Sequence, residues 1–175
     1  LGYFDTTAED VVVMDLDGNI IDGKRKPSSE HGLHTIFYKN RPEAGAVVHT
    51  HSPYCTTLAC MGETLKSVHY VIMGSNTEEV PLTPYVTFGT PELAEAVGDT
   101  LKAHPESRAT LLANHGIVVC QANLPKAFGL AVNCEFVAQI QWQCMCAGKM
   151  NLISHEEMQK AFERSKTYGQ VPDKK

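Results

Sequence analysis

Helix-start signals alternate with short apolar segments along this chain, and this alternation limits the folds it can adopt. Ser52-Pro53 and Thr90-Pro91 each have the order of a capping residue followed by proline at the first helical position. The apolar segments between such signals are short, which suits strands rather than helices. From residue 124 to residue 147, apolar residues recur at helical spacing. The pattern predicts a single α/β domain over residues 1–175, with short strands covered by helices.

Turn and cap residues indicate the individual elements. Asp-Gly and Gly-Asn dipeptides after an apolar run favour a β-hairpin over residues 11–23. Helices are expected from Pro27 to before Arg41, over residues 53–62, over residues 91–104, and from Ser154 onward. Strands are expected at residues 46–51, 68–73 and 85–88, and as one apolar strand that a turn or bulge interrupts at residues 114–116.

The hairpin segment admits two other interpretations. An apolar strand followed by Asp15-Leu16-Asp17-Gly18 resembles the nucleophile motif of haloacid-dehalogenase phosphatases, but Asn19 departs from that motif and no repeated strand–helix units follow. A calcium-binding EF-hand loop would need a glutamate at the twelfth position, which is Lys26 here. A hairpin turn is therefore the favoured interpretation.

Composition narrows the classes of ligand. The chain has 175 residues with 15 Lys and Arg against 20 Asp and Glu, a formal net charge of −5. This acidic balance, without a Lys/Arg block, argues against nucleic acid. No apolar run approaches the roughly 20 residues of a membrane span, and the start shows no signal-peptide pattern. We therefore expect a soluble cytoplasmic protein with a small neutral or anionic ligand. The six cysteines form no C-x-x-C pair, so we expect them to be reduced and mostly buried thiols.

The triplet His49-Thr50-His51 is the most informative motif. Side chains two apart on a strand point to the same face, so both imidazoles can reach one ion. On its own the pattern also fits two exposed or hydrogen-bonded histidines at a strand end. His115 lies beside Gly116 at the break in another apolar strand, and its presence there favours a metal site in which His115 is the third ligand. Three neutral histidines with a fourth position open are typical of a catalytic zinc site.

Glu30 follows two serines at a predicted helix start. A capping box would need its acid at residue 31 or 32, and these are His31 and Gly32. Ser28, Ser29 and the free N–H groups of this helix start suit an anion instead, and a phosphate ester is the commonest candidate. A favourable contact of Glu30 with the helix dipole is the simpler alternative.

Several ordered motifs together resemble the class II aldolase/adducin family. The resemblance spans nearly the whole chain, and within the family it is nearest to the aldolases that act on L-fuculose 1-phosphate. The motifs are Lys26-Pro27-Ser28-Ser29-Glu30, residues 46–51, His69-Tyr70, residues 84–90, Asn114-His115-Gly116 and Lys166-Thr167-Tyr168-Gly169. The family places further phosphate-binding groups ahead of where this chain begins, at Leu1, so we expect an N-terminal segment to be missing here.

The resemblance implies a three-layer α/β/α sandwich with a largely antiparallel central sheet. It further implies a cytoplasmic homotetramer with active sites between subunits, and one zinc ion per subunit held by His49, His51 and His115 with Glu30 beside it. The implied reaction is the reversible cleavage of L-fuculose 1-phosphate to dihydroxyacetone phosphate and L-lactaldehyde.

Roles for further residues follow from the same resemblance. Glu30 would move the proton at C3 of the three-carbon fragment, and Tyr70 from a neighbouring subunit would exchange a proton with the aldehyde oxygen. Ser28 and Ser29 would hold the phosphate, while Phe88 and, across the interface, Tyr168 would shape the aldehyde end. Tyr70, Phe88 and Tyr168 are also explained by packing alone.

Other readings of the same residues stay open at this point. L-ribulose-5-phosphate 4-epimerases of the family carry aspartate where this chain has Glu30, whereas methylthioribulose-phosphate dehydratases and rhamnulose-phosphate aldolases keep a glutamate. A non-catalytic, adducin-like interaction module is the alternative from another functional class. That module would leave three suitably placed histidines without a role.

Overall fold

A computed structural model describes residue 2 and residues 4–167. Within these residues the chain forms short strands, helices and two 3₁₀ helices. The strands are β1 Val13–Met14, β2 Ile20–Asp22, β3 Ala46–Thr50, β4 Leu65–Lys66, β5 Glu79–Val80, β6 Leu82–Thr83, β7 Ala109–Leu112 and β8 Gly116–Gln121. The helices are α1 His31–Asn40, α2 Pro53–Cys60, α3 Pro91–Ala103, α4 Leu124–Cys146 and α5 His155–Ser165, with 3₁₀ turns at Ala8–Asp10 and Tyr70–Ser75.

The central sheet has the strand order β3-β8-β7-β6 among the described residues. β8 pairs antiparallel with both β3 and β7, and β6 is parallel to β7. The sheet is therefore largely antiparallel, as expected. β1 pairs with β2 and β4 with β5 as separate two-stranded ribbons.

Two hydrophobic clusters lie on opposite faces of this sheet because side chains alternate along a strand. Val118 and Cys120 of β8 pack with α1 and α3, through residues such as Phe37 and Val97. Ile117 and Val119 pack on the other face with α2, α4 and α5. β8 is buried on both faces, and this explains its continuous apolar run. The chain thus forms the expected three-layer α/β/α sandwich.

Most local signals correspond to observed elements. The hairpin of β1 and β2 forms, with Asp15 accepting hydrogen bonds from the backbone N–H groups of Asp17 and Asn19 in its turn. Thr90 caps α3 by accepting from the Leu93 N–H group, and Ser154 caps α5 by accepting from the Glu157 N–H group. The six cysteines are free thiols, but only Cys55, Cys120 and Cys134 are buried, so fewer of them are buried than expected.

Three strand predictions were wrong. Most of segment 68–73 belongs to the 3₁₀ helix Tyr70–Ser75. His69 caps this helix by accepting from the Val71 N–H group, and Asn76 ends it in the left-handed region at φ 61°. Residues 85–88 form no strand, because Tyr85 and Phe88 are exposed and no strand lies beside them in the described chain. The break predicted at residues 114–116 is instead a turn over residues 113–115 that joins two antiparallel strands, β7 and β8.

Arg41 ties the ends of two helices together beneath the α1 and α3 layer. Its buried guanidinium donates to the main-chain oxygen of Leu101 in the last turn of α3, to those of His104 and Ser107 just after that helix, and to that of Asn40 at the end of α1. The carbonyl groups of Asn40, Leu101 and His104 are among those that lack partners at helix C-termini. Across the described part of the chain, no helix has both the length and the apolar character needed to cross a lipid bilayer.

Candidate active site

β3 delivers two histidines to one point at its carboxyl end. The register pairs His49 with Val118 and Thr50 with Ile117, so the strand is fixed against β8 up to the residue before His51. The Nε2 atoms of His49 and His51 lie 3.1 Å apart. The alternation of a strand thus brings both imidazoles to the same side, as the H-x-H spacing predicts.

His115 approaches from the turn between β7 and β8. Asn114 turns the chain at φ 56°, in the left-handed region that asparagine tolerates. Gly116 then passes so close to the end of β3 that a Cβ atom there would lie 2.3 Å from the carbonyl oxygen of Thr50. The missing side chain of Gly116 lets the His115 ring come within a 4.9 Å centroid distance of both other imidazoles.

Glu30 completes the group from the start of α1. Its Oε1 lies 3.0 Å from Nε2 of His115, and its Oε2 lies 3.3 Å from Nε2 of His49. The side chain of Glu30 is 16% exposed, and those of His49 and His115 are 10% exposed. One ligand atom from each of Glu30, His49, His51 and His115 lies within 4.8 Å of the others.

The protonation of these groups suits a cation. The Nδ1 atom of His49 is 3.0 Å from the carbonyl oxygen of Ile117, which only accepts, so the ring proton is on Nδ1 and Nε2 carries a free lone pair. Burial lowers the pKa of His49 and of His115 and favours neutral rings, although the charge of Glu30 opposes this. Although Nε2 of His115 lies 3.0 Å away, the buried Oε1 of Glu30 makes no hydrogen bond among the described residues, so the two atoms face each other without one. An unpaired carboxylate oxygen amid neutral imidazoles fits a divalent metal ion.

Comparison with known proteins decides the family. The family model described as "Class II Aldolase and Adducin N-terminal domain" matches residues 1–142. The chain belongs to the class II aldolase family. It is 42% identical over 170 residues to the 5-deoxy-D-ribulose 1-phosphate aldolase of Bacillus thuringiensis serovar kurstaki, covering 97% of this chain and 78% of that protein. This confirms the resemblance on which the site residues were assigned.

Further class II aldolases give the same result. The L-fuculose phosphate aldolase of Escherichia coli K12 is 38% identical over 168 residues, covering 95% of this chain and 76% of that protein. A solved structure of an L-fuculose 1-phosphate aldolase aligns with a TM-score of 0.87 at 37% identity, covering 95% of this chain and 76% of that one. The protein is an enzyme of the aldolase type, a lyase, and class II aldolases depend on a metal. The adducin-like, non-catalytic alternative is therefore set aside.

A cavity of about 400 Å³ opens beside the candidate metal ligands of this class II aldolase. Phe88, expected at the aldehyde end of a substrate, lines it together with Tyr85 and Val86 from the same loop. Asn114 also lines it. Tyr85 was not expected from the sequence, and its only signal is its place in the segment 84–90.

The two serines expected to bind phosphate lie at the amino end of α1. Ser28 Oγ accepts from the Glu30 N–H group at 3.2 Å, and Ser29 packs against Gly89, which turns at φ +70°. Glu30 occupies the N-cap position of α1 without making a side-chain capping bond within the described residues. Its carboxylate is therefore free to face the histidines.

The structure does not bring Tyr70 to the candidate metal site. Its side chain is 52% exposed, stacks on His69 at 4.6 Å between ring centroids, and lines other cavities. Tyr168, the other residue expected to act across an interface, lies outside the described residues.

Proposed function

We propose that this class II aldolase uses zinc to cleave L-fuculose 1-phosphate reversibly to dihydroxyacetone phosphate and L-lactaldehyde. The observation that carries the proposal is the convergence of Glu30, His49, His51 and His115 beside a cavity of about 400 Å³. The similarity to L-fuculose phosphate aldolases at 38% identity supports the substrate.

The donor set and its spacing support zinc. Zinc is held by histidine nitrogen and carboxylate oxygen, and with bonds of about 2.0 Å its tetrahedral ligand atoms lie about 3.3 Å apart. The corresponding distances here are 3.1 Å from His49 to His51, 3.3 Å from Glu30 to His49 and 3.0 Å from Glu30 to His115. Three neutral nitrogens and one carboxylate leave a net positive charge on the bound ion, which suits an anionic substrate.

The reaction breaks the bond between C3 and C4 of the ketose. The electron pair of that bond moves toward the C2 carbonyl, the C4 hydroxyl becomes the aldehyde after losing its proton, and C3 gains a proton to give dihydroxyacetone phosphate. When bound, zinc supplies a Lewis acid that stabilises the negative charge developing on the substrate oxygens. No Schiff-base lysine is needed.

The protein's own groups handle the protons and the two ends of the substrate. Glu30 delivers the proton to C3, and Tyr70 of the partner subunit exchanges the proton of the C4 oxygen. Ser28 and Ser29, at the amino end of α1, bind the phosphate through their hydroxyls and the helix N–H groups. Phe88 and Tyr168 shape the pocket for the methyl end of the aldehyde.

A homotetramer with active sites between subunits is part of the proposal. Tyr70 is exposed on the surface formed by α4 and the 3₁₀ helix Tyr70–Ser75, where Phe136 meets His69 edge-on at 5.1 Å. The same side of α4 carries exposed apolar residues at four-residue intervals, which is unusual for a surface in contact with water. These residues, Leu124, Phe128, Val132 and Phe136, form the α4 stripe.

A second candidate substrate is 5-deoxy-D-ribulose 1-phosphate. The 42% identity to the Bacillus thuringiensis aldolase of that substrate favours it. Cleavage between C3 and C4 would again give dihydroxyacetone phosphate, with acetaldehyde in place of L-lactaldehyde. The difference between the two aldehydes is one hydroxyl-bearing carbon, a change that a pocket discriminates by about 1–3 kcal/mol.

The decisive experiment is an assay of the purified full-length protein against both ketose phosphates, with L-rhamnulose 1-phosphate and L-ribulose 5-phosphate as comparison substrates. We expect L-fuculose 1-phosphate to have the highest kcat/KM, chelation to abolish cleavage, zinc to restore it, and borohydride with substrate to leave the enzyme active. Preference for another of these substrates would reject the substrate proposal. Activity that survives chelation but is lost with borohydride would instead indicate a lysine enzyme.

A further inference from the structure

Glu135 on α4 binds the first turn of α2 with both of its carboxylate oxygens. Oε1 accepts from the N–H group of Tyr54 at 2.8 Å, and Oε2 accepts from that of Cys55 at 2.9 Å. These are the second and third residues of α2, whose N–H groups lack partners within a helix. α2 begins two residues after His51. The carboxylate therefore holds the backbone that directly follows a candidate metal ligand.

Glu135 takes the place of the local cap that the sequence predicts. Ser52 is the N-cap residue of α2, but its side chain makes no capping hydrogen bond within the described part of the chain. Instead it accepts a hydrogen bond of 3.3 Å from the Thr50 hydroxyl. A cap supplied by a side chain on another helix joins α2 to α4, whereas a local cap would only begin the helix.

His51 depends on its backbone more than His49 does. The ring of His49 is fixed by its Nδ1–H bond to Ile117, but among the described residues the Nδ1 atom of His51 makes no hydrogen bond. β3 ends at Thr50, so sheet pairing stops one residue before His51. Gly116 lies against one side of His51, where a Cβ atom would be 3.3 Å from its Cα. The start of α2 fixes the chain on the other side.

The negative charge of Glu135 has a second effect, on the electrostatics near the candidate metal site. The amino end of a helix carries about half a positive charge, which opposes a divalent cation placed next to it. The carboxylate of Glu135 sits on the N–H groups that carry this charge and offsets it. A neutral side chain with the same shape would keep a hydrogen bond to α2 but not this compensation.

We propose that Glu135 is a positioning residue for the metal site, because it holds the start of α2 and thereby His51 and offsets the helix charge beside the cation. The inference rests on the proposed metal site at Glu30, His49, His51 and His115. Its consequence is that removing the charge of Glu135 weakens metal binding even though Glu135 touches neither metal nor substrate.

The test measures zinc affinity by competition with a chromophoric chelator, together with the visible absorption spectrum of the cobalt-substituted protein. The variants are Glu135→Gln, which keeps one acceptor but loses the charge, and Glu135→Asp, which keeps the charge on a shorter side chain. Ser154→Ala is the matched control, since it also removes a helix cap but acts on α5. Thermal unfolding of the metal-free proteins gives the structural cost of each change.

We expect Glu135→Gln to bind zinc at least about tenfold more weakly and to shift the cobalt spectrum, the size of effect seen for groups that orient metal ligands. Glu135→Asp should lose less, and Ser154→Ala should lower the unfolding temperature without changing zinc affinity. Wild-type affinity and spectrum in Glu135→Gln would overturn the inference. If Glu135→Gln does not fold, the test passes to Glu135→Asp. A folded Glu135→Asp protein with a lowered unfolding temperature but the zinc affinity and cobalt spectrum of the wild type would then overturn the inference. A wild-type protein that binds no zinc would instead reject the proposed function.

Discussion

The Nδ1–H group of His49 donates a hydrogen bond of 3.0 Å to the carbonyl oxygen of Ile117 on β8. The bond selects the tautomer whose Nε2 lone pair is free and fixes the orientation of the ring. Nε2 is the atom that lies 3.1 Å from His51 and 3.3 Å from Glu30. The pairing of β3 with β8 therefore also orients the His49 ring as a candidate metal ligand.

Glu30→Gln should separate metal binding from proton transfer. The amide has nearly the same shape and keeps one oxygen that can face the metal, but it cannot accept or deliver a proton at C3. We expect proton exchange at C3 of dihydroxyacetone phosphate, followed by NMR in deuterated water, to fall by about 10²–10⁴-fold while most of the metal is retained. Glu43→Gln, an exposed carboxylate, is the control. Undiminished exchange in Glu30→Gln would exclude Glu30 as the base.

Gly116→Ala should disrupt the site through its backbone. The added Cβ would lie 2.3 Å from the Thr50 carbonyl oxygen and 3.1 Å from Cδ2 of His51, so β3 and the His115 turn must separate. We expect about 1–3 kcal/mol lower stability in urea unfolding and a loss of bound metal. Gly129→Ala is a matched control on α4, where a Cβ meets nothing within 4 Å. It should leave metal content unchanged and should not destabilise the protein. Equal metal content in the two variants would contradict the close-approach argument.

Arg41→Met should destabilise the protein without altering the chemistry. The change leaves the main-chain oxygens of Leu101 and Ser107 without a buried donor, which costs about 1–3 kcal/mol for each unsatisfied group. Arg164→Met, in the exposed last turn of α5, should change stability by no more than about 0.5 kcal/mol. Urea unfolding of both variants checks this. If Arg41→Met lowers the free energy of unfolding no more than Arg164→Met does, water must bind the two carbonyl oxygens in place of the guanidinium.

His34 should make the protein less stable in acid. Burial lowers its pKa below the ordinary value of 6.5, and the backbone at Val47 opposes this only in part. The folded state therefore favours the neutral ring, and this contribution is fully present above pH 6.5 and is lost as the pH falls below it. We expect the drop in unfolding free energy between pH 7.5 and pH 5.5 to be smaller in His34→Gln than in the wild type. His31→Gln, which replaces an exposed histidine on the same helix, is the control. An equal drop in all three proteins would be the contrary result.

Phe128→Asp should weaken the proposed assembly. Phe128 is 60% exposed in the middle of the α4 stripe, and a charge placed within an apolar contact is costly to bury. Size-exclusion chromatography with light scattering should show a smaller species, and activity should fall with it because Tyr70 would no longer reach a neighbouring site. Leu152→Asp, an exposed apolar position outside α4, serves as the control. An unchanged mass for Phe128→Asp would place the subunit contact elsewhere.

The sequence predicts those elements that form through interactions between residues close together in the chain. Caps such as Thr90 and Ser154 act within three residues, so the starts of α3 and α5 could be predicted. β5 and β6 have two residues each and exist only through partners far along the chain, so no periodicity indicates them. For the same reason Glu135 could not be predicted, because its two partners lie 80 and 81 residues away. The candidate metal ligands could be proposed from the sequence because the H-x-H spacing and a known family pattern coincide there.

The candidate ligands come from a helix start, a strand end and a turn that are distant in the sequence, and only the register of β3 against β8 brings them together. A slip of one residue would turn His49 to the opposite face of the sheet and displace His51, which directly follows the strand. A mispaired chain would therefore be unable to take up the ion, whereas a correctly paired chain gains stability from it by mass action. Only chains with the correct strand register would then bind the ion and become active, so activity would depend on correct assembly of the sheet.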